Sequence, residues 1–213
     1  MKIYDISIPT TNGMVNWPGD PPVKLSQISE IKKGDESNIS YLEMCVHTGT
    51  HIDAPKHYID DGKTIDAIIM EKLIGEVLVV NIKAEINVIT EEVLRSHSQF
   101  DAIIKAKRIL FHTRNSNLWE ARSETFDKTY VGIDRSGAKF LTELDVDLVG
   151  LDYLSVAPFT ETLEPHQIFL SNEVVLLEGI NLKNIVEGFY RLFCLPLNIP
   201  GSDGAPARAI LIK

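Results

Sequence analysis

The chain has 213 residues, 44% hydrophobic and 24% charged, with 30 acidic and 21 basic side chains that give a net charge of −9. This length and composition predict one domain, spanning residues 1–213, around one sizeable core. The acidic balance argues against nucleic acid or an anionic membrane as a partner, because binding phosphate groups requires clustered lysine and arginine.

Strand patterns dominate the chain, and helical patterns interleave with them. IYDISI opens the chain, a turn-rich stretch containing NWPGDPP follows, and NISYLEMCV alternates before the histidine-rich segment. Helices are predicted from Thr90, which can cap TEEVLRSHSQF, and from about Ser136 to Leu144. Further strands are predicted for GEVLVVNI, RILFHT, DLVGLD, EVVLLEG, RLFCLPL and ARAILI. The pattern predicts a mixed α/β or α+β fold.

No segment of the sequence predicts export or membrane insertion. The N-terminal residues contain no long apolar run, and no window approaches eighteen apolar residues, so we expect a cytoplasmic protein. Cys45 and Cys194 each fall in an apolar, strand-like run and are expected to be buried, reduced thiols. His97 follows a serine in a polar helix and is expected at the solvated surface, whereas His112 ends a strand and is given no role.

The segment HTGTHIDAPKH, from His47 to His57, holds three of the six histidines. A helix is disfavoured there because Thr-Gly-Thr forms helices weakly and Pro55 would end one. A straight strand would place His47 and His51 about 13 Å apart, too far to share an ion. If both bind one metal, the chain must turn between them, and Gly49 is the residue that permits a positive φ.

The residue types in this segment suit a catalytic metal site. His47, His51 and Asp53 form a three-ligand set, which is common at catalytic zinc and leaves one position for water. The metal then lowers the pKa of that water, and a histidine that is not a ligand can transfer protons. His57 approaches from beyond the Ala-Pro step and is the candidate for that second task.

Two more candidate ligands lie in EPHQIFLSNEVVLLEG. Glu178 follows an apolar run at a predicted strand end, where a carboxylate must be solvated, paired or bound to a cation. His166 is surrounded by acidic residues in the same stretch. These two residues are candidates for extending the first cluster into a two-metal site.

The segment HTGTHIDAPKH resembles the HxGTHxDxPxH signature of the metal-dependent cyclase family, whose best-known members are the bacterial-type kynurenine formamidases. The likeness extends to NWPGDPP, VGLDYLSVAP and the ending PLNIPGSDGAPARAIL. It implies that His47, His51 and Asp53 hold one Zn²⁺, and that Asp53, His166 and Glu178 hold a second. Asp53 and Glu178 would bridge the two ions. Mn²⁺ is a possible substitute for zinc.

The same resemblance implies further properties of the protein. The fold would be a single mixed α/β domain of the swivelling β/β/α type, and the protein a homo-oligomer, either a dimer or a tetramer. His57 would transfer protons, and Trp17 would line the pocket for a small-molecule substrate. Independently of the resemblance, Trp119 and Arg114 lie in the loop from His112 to Asp127 and are additional candidates for contacting the substrate.

The expected activity is metal-dependent hydrolysis of a small amide, with an arylformamidase acting on N-formylkynurenine as the leading hypothesis. Two alternatives within enzymes stay open. One is hydrolysis of an isatin-like lactam or another cyclic amide, and the other is a cyclase or dehydratase that uses the same metal. Outside enzymes, the alternative is a protein in which the metal is structural.

Overall fold

The computed structural model describes residues 1–119 and 125–213. In chain order the strands are β1 (Ile3–Asp5), β2 (Lys24–Ser29), β3 (Ile39–Glu43), β4 (His51–Asp53), β5 (Ile74–Asn81), β6 (Val88–Ile89), β7 (Arg108–His112), β8 (Gly132–Ile133), β9 (Leu148–Leu151), β10 (Val175–Glu178), β11 (Gly188–Pro196) and β12 (Gly204–Ile212). The α-helices are α1 (Met70–Leu73), α2 (Glu91–Arg95), α3 (Phe100–Ile103), α4 (Arg135–Glu143) and α5 (Leu163–Ser171). Short 3-10 helices span Ile31–Lys33, Pro55–His57, Ile65–Ala67 and Arg114–Asn117.

An eight-stranded mixed sheet with the order β1-β12-β11-β5-β7-β9-β10-β4 organises the fold. Strands β5, β7, β9 and β10 run parallel to one another, whereas β11, β12 and β4 pair antiparallel with their neighbours. The short β4 pairs with both β10 and β12, which closes the sheet into a barrel-like arrangement. The prediction of a mixed α/β domain is confirmed.

The apolar strands are buried on both faces. On β5, Leu78 and Val80 pack in a cluster that includes residues of α4 and α5, while Val77 and Val79 pack among residues of the other sheet strands. A strand covered on both sides needs apolar residues at consecutive positions, which explains the unbroken run VLVV. The central strands therefore pack against the helices with one face and against other strands of the sheet with the opposite face.

The helix predicted from Thr90 is real but shorter than expected. The Thr90 hydroxyl oxygen accepts a hydrogen bond from the Val93 amide at 3.1 Å, as an N-cap does. Helix α2 ends at Arg95 instead of continuing through Phe100, and the Ser96 hydroxyl donates back to the Glu92 carbonyl at 2.8 Å. A separate short helix, α3, then begins.

Helix α5 has no counterpart in the sequence prediction. Its Pro165 lies in the first turn, where the missing amide hydrogen costs the helix nothing. The helix packs against α4, β10 and the 3-10 helix Pro55–His57. It therefore carries His166 toward the segment that holds the other candidate ligands.

Two expectations about single residues need correction. His97 is not a solvated surface residue, because its side chain is only 12% exposed. Its Nε2–H donates to the Asn81 carbonyl and its Nδ1 accepts from the Gln99 amide, both at 3.0 Å. Cys45 is half-buried and lies just after β3 instead of inside a strand. Cys194 is buried in β11, and both thiols are free, as expected.

Strands β2 and β3 form a separate two-stranded hairpin outside the main sheet. Asn12 anchors its first strand by exchanging two hydrogen bonds with the backbone of Leu25, at 2.7 and 2.8 Å. The hairpin region nevertheless exposes large hydrophobic side chains, namely Leu25, Ile28, Ile31, Ile39, Tyr41 and Leu42. Within residues 1–119 and 125–213, no helix has the length and hydropathy needed to span a membrane.

Candidate metal centre

The turn predicted between the first two histidines is present. Gly49 has a φ of 68°, a left-handed conformation that favours glycine. The turn brings the ring centroids of His47 and His51 to 5.1 Å from each other. A straight strand would have kept them about 13 Å apart. The prediction that the chain reverses at this glycine is confirmed.

Backbone contacts fix the position of this turn against the end of β10. A Cβ atom on Gly179, which follows Glu178, would lie 1.9 Å from the Gly49 carbonyl oxygen, so only glycine fits there. The Thr50 hydroxyl donates to the Gly179 carbonyl at 2.6 Å and accepts from the Ile8 amide at 2.9 Å. Main-chain packing thus sets the distance between the histidine turn and Glu178.

Strand pairing then aligns three candidate ligands. In the antiparallel register of β4 and β10, His51 lies opposite Glu178 and Asp53 lies opposite Leu176. Side chains two apart on a strand share a face, so His51 and Asp53 point together while Ile52 enters the core. The Nε2 atom of His51 lies 3.3 Å from Glu178 Oε2 and 3.4 Å from Asp53 Oδ1.

His47 and His57 complete one side of the cluster. The Nδ1 atom of His47 lies 2.8 Å from Asp53 Oδ1. His57 ends the 3-10 helix Pro55–His57, and its ring stacks on that of His47 with centroids 3.9 Å apart and planes inclined by 24°. The His57 side chain is 27% exposed, whereas that of His51 is 1% exposed.

His166 reaches the other side of the cluster from α5. Its Nε2 atom lies 3.3 Å from Glu178 Oε1 and 3.9 Å from Asp53 Oδ2. Its Nδ1–H donates to the Thr162 carbonyl one turn earlier at 2.6 Å. Glu178 Oε1 also accepts from the Val156 amide at 2.7 Å. The six residues expected as ligands or proton carrier are therefore brought together.

Burial and charge act in opposite directions on these groups. Burial disfavours the imidazolium of His51, but hydrogen bonds with Asp53 and Glu178 outweigh burial and raise the pKa of His51 to about 10. The same balance, with Glu178 and Asp53 as the partners, raises the pKa of His166. Burial would raise the pKa of Asp53, yet its interactions with the neighbouring imidazoles, above all that of His47, hold the pKa of Asp53 well below its usual range. Two buried carboxylates thus depend on nearby positive charge.

The arrangement fits a divalent cation. The Nδ1–H groups of His51 and His166 donate to the carbonyls of Gly49 and Thr162, so a neutral ring presents an Nε2 lone pair to the carboxylates. Lone pairs facing carboxylate oxygens repel unless a proton or a cation lies between them. Asp53 Oδ2 is buried and has no hydrogen-bond partner among the described residues. Backbone carbonyls on Nδ1 are the usual outer partners of metal-binding histidines.

The potential ligand atoms form two triplets, His47–Asp53–His57 and His51–Asp53–Glu178. Within each triplet the atoms lie within 4.8 Å of one another. Ligands bound tetrahedrally at about 2.1 Å from zinc are about 3.4 Å apart, which matches the spacing of these groups. Asp53 belongs to both triplets, as expected of a bridging ligand. The grouping differs from the expected one, since His47 lies with His57 and His51 lies with Glu178.

A cavity of about 150 Å³ opens onto the cluster. Trp17 lines it, as the resemblance implied, and packs edge-on against Phe126 and tilted against Phe159, with ring centroids 5.0 and 5.6 Å apart. An aromatic wall therefore lies beside the candidate ligands. The other lining residues are Asp20, Cys45, His47, His51, His57, Tyr58, Leu154, Ser155, His166 and Glu178.

The two further candidates for substrate contact have structural partners instead. The Arg114 guanidinium donates to the carbonyls of Ala84, Ile86 and Thr129. The Trp119 indole N–H donates to the Ile180 carbonyl at 2.9 Å. Residues 120–124 of the loop that carries them lie outside the described residues.

Sequence reasoning missed two residues at the cluster. The Tyr58 ring stacks on that of His166 with centroids 4.5 Å apart. Asp203 Oδ2 lies 2.9 Å from Nε2 of His47 and 3.3 Å from Nδ1 of His57. Asp203 lies in PLNIPGSDGAPARAIL, which supported the resemblance. Its neighbours are serine and glycine, and this triplet is typical of a surface turn, so the sequence alone does not indicate a role at the site.

Comparison with known proteins agrees with this geometry. The family model named Cyclase matches residues 4–158, which is more than half of the chain. The chain belongs to the cyclase family.

Three matches describe its place among cyclase-family proteins. "Cyclase-like protein 3" of Oryza sativa subsp. japonica is 37% identical over 220 residues, which cover 100% of this chain and 80% of the relative. "Kynurenine formamidase" of Bacillus cereus is 30% identical over 209 residues, covering 97% of this chain and 95% of the relative. A solved structure described as a potential metal-dependent hydrolase with cyclase activity has a TM-score of 0.84 at 30% identity, covering 99% of this chain and 96% of the other.

Proposed function

We propose that this cyclase-family protein is a metal-dependent hydrolase of a small amide, and that N-formylkynurenine is the first substrate to test. The observation that carries the proposal is a buried cluster of histidines and carboxylates that opens into an aromatic-walled cavity. Support comes from the Bacillus cereus relative, which is named for this activity and matches along nearly the whole chain. The plant relatives are more identical but bear names without a substrate.

The metal would be held by His47, His51, Asp53, His166 and Glu178, as one or two Zn²⁺ ions or Mn²⁺ in their place. The ligand set contains nitrogen and oxygen donors, which these ions accept. When bound, such a cation polarises a carbonyl oxygen and lowers the pKa of water near it. Structural zinc is more often enclosed by four ligands that include cysteines, so this open set favours a catalytic role.

His57 is the residue we assign to proton transfer. It is the most exposed of the four clustered histidines and lines the cavity. Burial lowers its pKa below the ordinary value, so its ring is neutral and able to accept a proton near neutral pH. It takes a proton from the attacking water and returns it to the amide nitrogen as the carbon–nitrogen bond breaks. The products are a carboxylic acid and an amine.

The cavity also selects the substrate. The indole of Trp17 offers a flat apolar face beside the histidines, which suits an aromatic ring next to the scissile amide. Among the described residues that line the cavity, none is lysine or arginine, and Asp20 lies at its wall. This composition favours an uncharged reacting group over an anionic one.

A panel of substrates tests the proposal. Protein loaded with Zn²⁺ or Mn²⁺ would be assayed with N-formylkynurenine, a simple aryl formamide, isatin and a cyclisable polyketide. Release of formate and amine from the formamides is the expected result. Turnover of isatin alone would replace the formamide assignment with a lactam. Cyclisation without any amide hydrolysis would favour a cyclase, and stoichiometric metal without turnover would favour a structural site.

We also propose that the protein is a homo-oligomer and that its β2–β3 hairpin contacts a second copy. A lone hairpin is marginally stable in water, yet this one exposes large hydrophobic side chains, among them Ile28 at the register shift of β2 and Tyr41 opposite Ser26. Covering them with the same surface of another chain would stabilise the hairpin, as in an isologous interface.

Light scattering tests this second proposal. The wild type is expected at twice the chain mass of 23.8 kDa or more, and the double variant Ile28→Lys, Tyr41→Lys at one chain mass. Val186→Lys is the control, because Val186 is exposed outside the hairpin. A monomeric wild type, or a double variant that keeps its oligomeric mass, would contradict the proposal.

A further inference from the structure

A carboxylate outside the ligand cluster contacts two of its imidazoles. Asp203 Oδ2 lies 2.9 Å from His47 Nε2 and 3.3 Å from His57 Nδ1. Asp203 immediately precedes β12, and its carbonyl accepts a hydrogen bond from the Ala54 amide at 2.9 Å. This backbone bond ties the Asp203 loop to the end of β4, directly after Asp53.

We propose that Asp203 is a positioning residue that selects which nitrogen of His47 faces the metal. This inference rests on the proposed metal centre. A carboxylate can only accept hydrogen bonds, and both ring nitrogens of His47 face one: Nε2 faces Asp203 and Nδ1 faces Asp53 Oδ1 across 2.8 Å. A cation held by Asp53 would take the place of a proton on Nδ1, so in the metal-loaded protein Nε2–H is the group that donates to Asp203. That is the tautomer in which His47 can bind a cation held by Asp53.

In the other ligand histidines, a main-chain carbonyl determines which ring nitrogen faces the metal. Backbone carbonyls of Gly49 and Thr162 accept from Nδ1 of His51 and His166, which leaves Nε2 toward the carboxylates. His47 is held by a side chain instead. It is therefore the ligand whose tautomer a single substitution can release.

The residue after Asp203 completes a seat for the His47 ring. A Cβ atom on Gly204 would lie 2.6 Å from Cε1 of His47 and 2.8 Å from the Ile52 carbonyl oxygen. The ring thus lies directly against the glycine backbone, with the His57 ring stacked 3.9 Å from it. Asp203 holds the His47 imidazole through its carboxylate, and Gly204 leaves the space that the ring occupies. The same carboxylate attracts Nδ1 of His57, which favours Nε2 as the proton-accepting nitrogen of that ring.

The test compares Asp203→Ala and Asp203→Asn with the wild type in two measurements. The first is Zn²⁺ affinity by competition with a chelator, and the second is the protonated nitrogen of His47 by nitrogen NMR of the zinc-loaded protein. Asp203→Ala should weaken Zn²⁺ binding about 10- to 100-fold, as loss of an outer carboxylate on a metal-binding histidine does. Asp203→Asn keeps one accepting oxygen, so its Zn²⁺ affinity should lie between those of the wild type and Asp203→Ala. The Nε2–H form of His47 should dominate in the wild type and lose that dominance in Asp203→Ala.

Asp66→Ala is the matched control. Asp66 Oδ1 accepts from the Gly201 amide at 3.0 Å, so it anchors the same loop without contacting a histidine. Unchanged affinity and unchanged His47 tautomer in Asp203→Ala would overturn the proposal, as would an equal loss in Asp66→Ala. Failure of the proposed hydrolysis is separable, because neither measurement uses a substrate. A wild type that binds no divalent ion would overturn both proposals.

Discussion

Replacing Asp53 with alanine is expected to abolish stoichiometric metal binding and to reduce amide hydrolysis to the uncatalysed rate. Asp53 Oδ1 lies between the ligand nitrogens of His47 and His51, and Oδ2 is the buried oxygen without a partner. Removing this carboxylate takes a shared donor from both potential ion positions and removes one of the carboxylates that balance the charge of the imidazoles. Elemental analysis after dialysis and the formamide assay measure the two losses.

Asp152→Asn is the control for the Asp53 substitution. Asp152 is another fully buried carboxylate, and it accepts hydrogen bonds from the amides and hydroxyls of Thr113 and Ser116. Placing an amide NH₂ among those donors should lower the melting temperature without changing metal content. Full metal stoichiometry in Asp53→Ala would contradict the assignment of Asp53 as a ligand.

His57→Gln is expected to reduce turnover by about 10²- to 10⁴-fold while the metal content stays unchanged. The reduction follows from the loss of the group that returns a proton to the leaving nitrogen. The pH profile gives a second readout. The wild type should lose kcat/KM as the pH falls through the lowered pKa of His57, because the protonated ring cannot accept a proton. That acid limb should be missing from the variant.

His112→Gln is the matched control for His57, since His112 is half-buried at the end of β7 and does not line the cavity. It should leave turnover and metal content unchanged. A loss of metal in His57→Gln would instead make His57 a ligand. The triplet that it forms with His47 and Asp53 gives that outcome a geometric basis.

The part of the site that the sequence alone predicts is the part encoded locally. The segment from His47 to His57 contains weak helix formers, a glycine and a proline, which together favour a turn at Gly49. The structure contains that turn. Alternation along β4 then places Asp53 on the face of His51. Neither conclusion requires knowledge of the rest of the fold.

The remaining contacts depend on pairings between distant segments. Glu178 meets His51 through the register of β4 and β10, which a single sequence does not encode. The family resemblance supplied the pairing of Glu178 with His166. Helix α5 was missed because Ile168, Phe169 and Leu170 are consecutive, whereas an amphipathic helix spaces its apolar residues by three or four. Asp203 reaches His47 only because β12 pairs with β4.

The backbone contact between Gly49 and Gly179 has a consequence for how the activity can diversify. Strand pairing and main-chain packing hold His51, Asp53 and Glu178. Trp17, which lines the cavity, and the two rings that pack against it, Phe126 and Phe159, lie in connecting segments. Chemistry and substrate choice are thus encoded by different stretches of the polypeptide. Exchanging these aromatic residues would let evolution, or an engineer, redirect the same metal site to a substrate with a different ring without rebuilding the site.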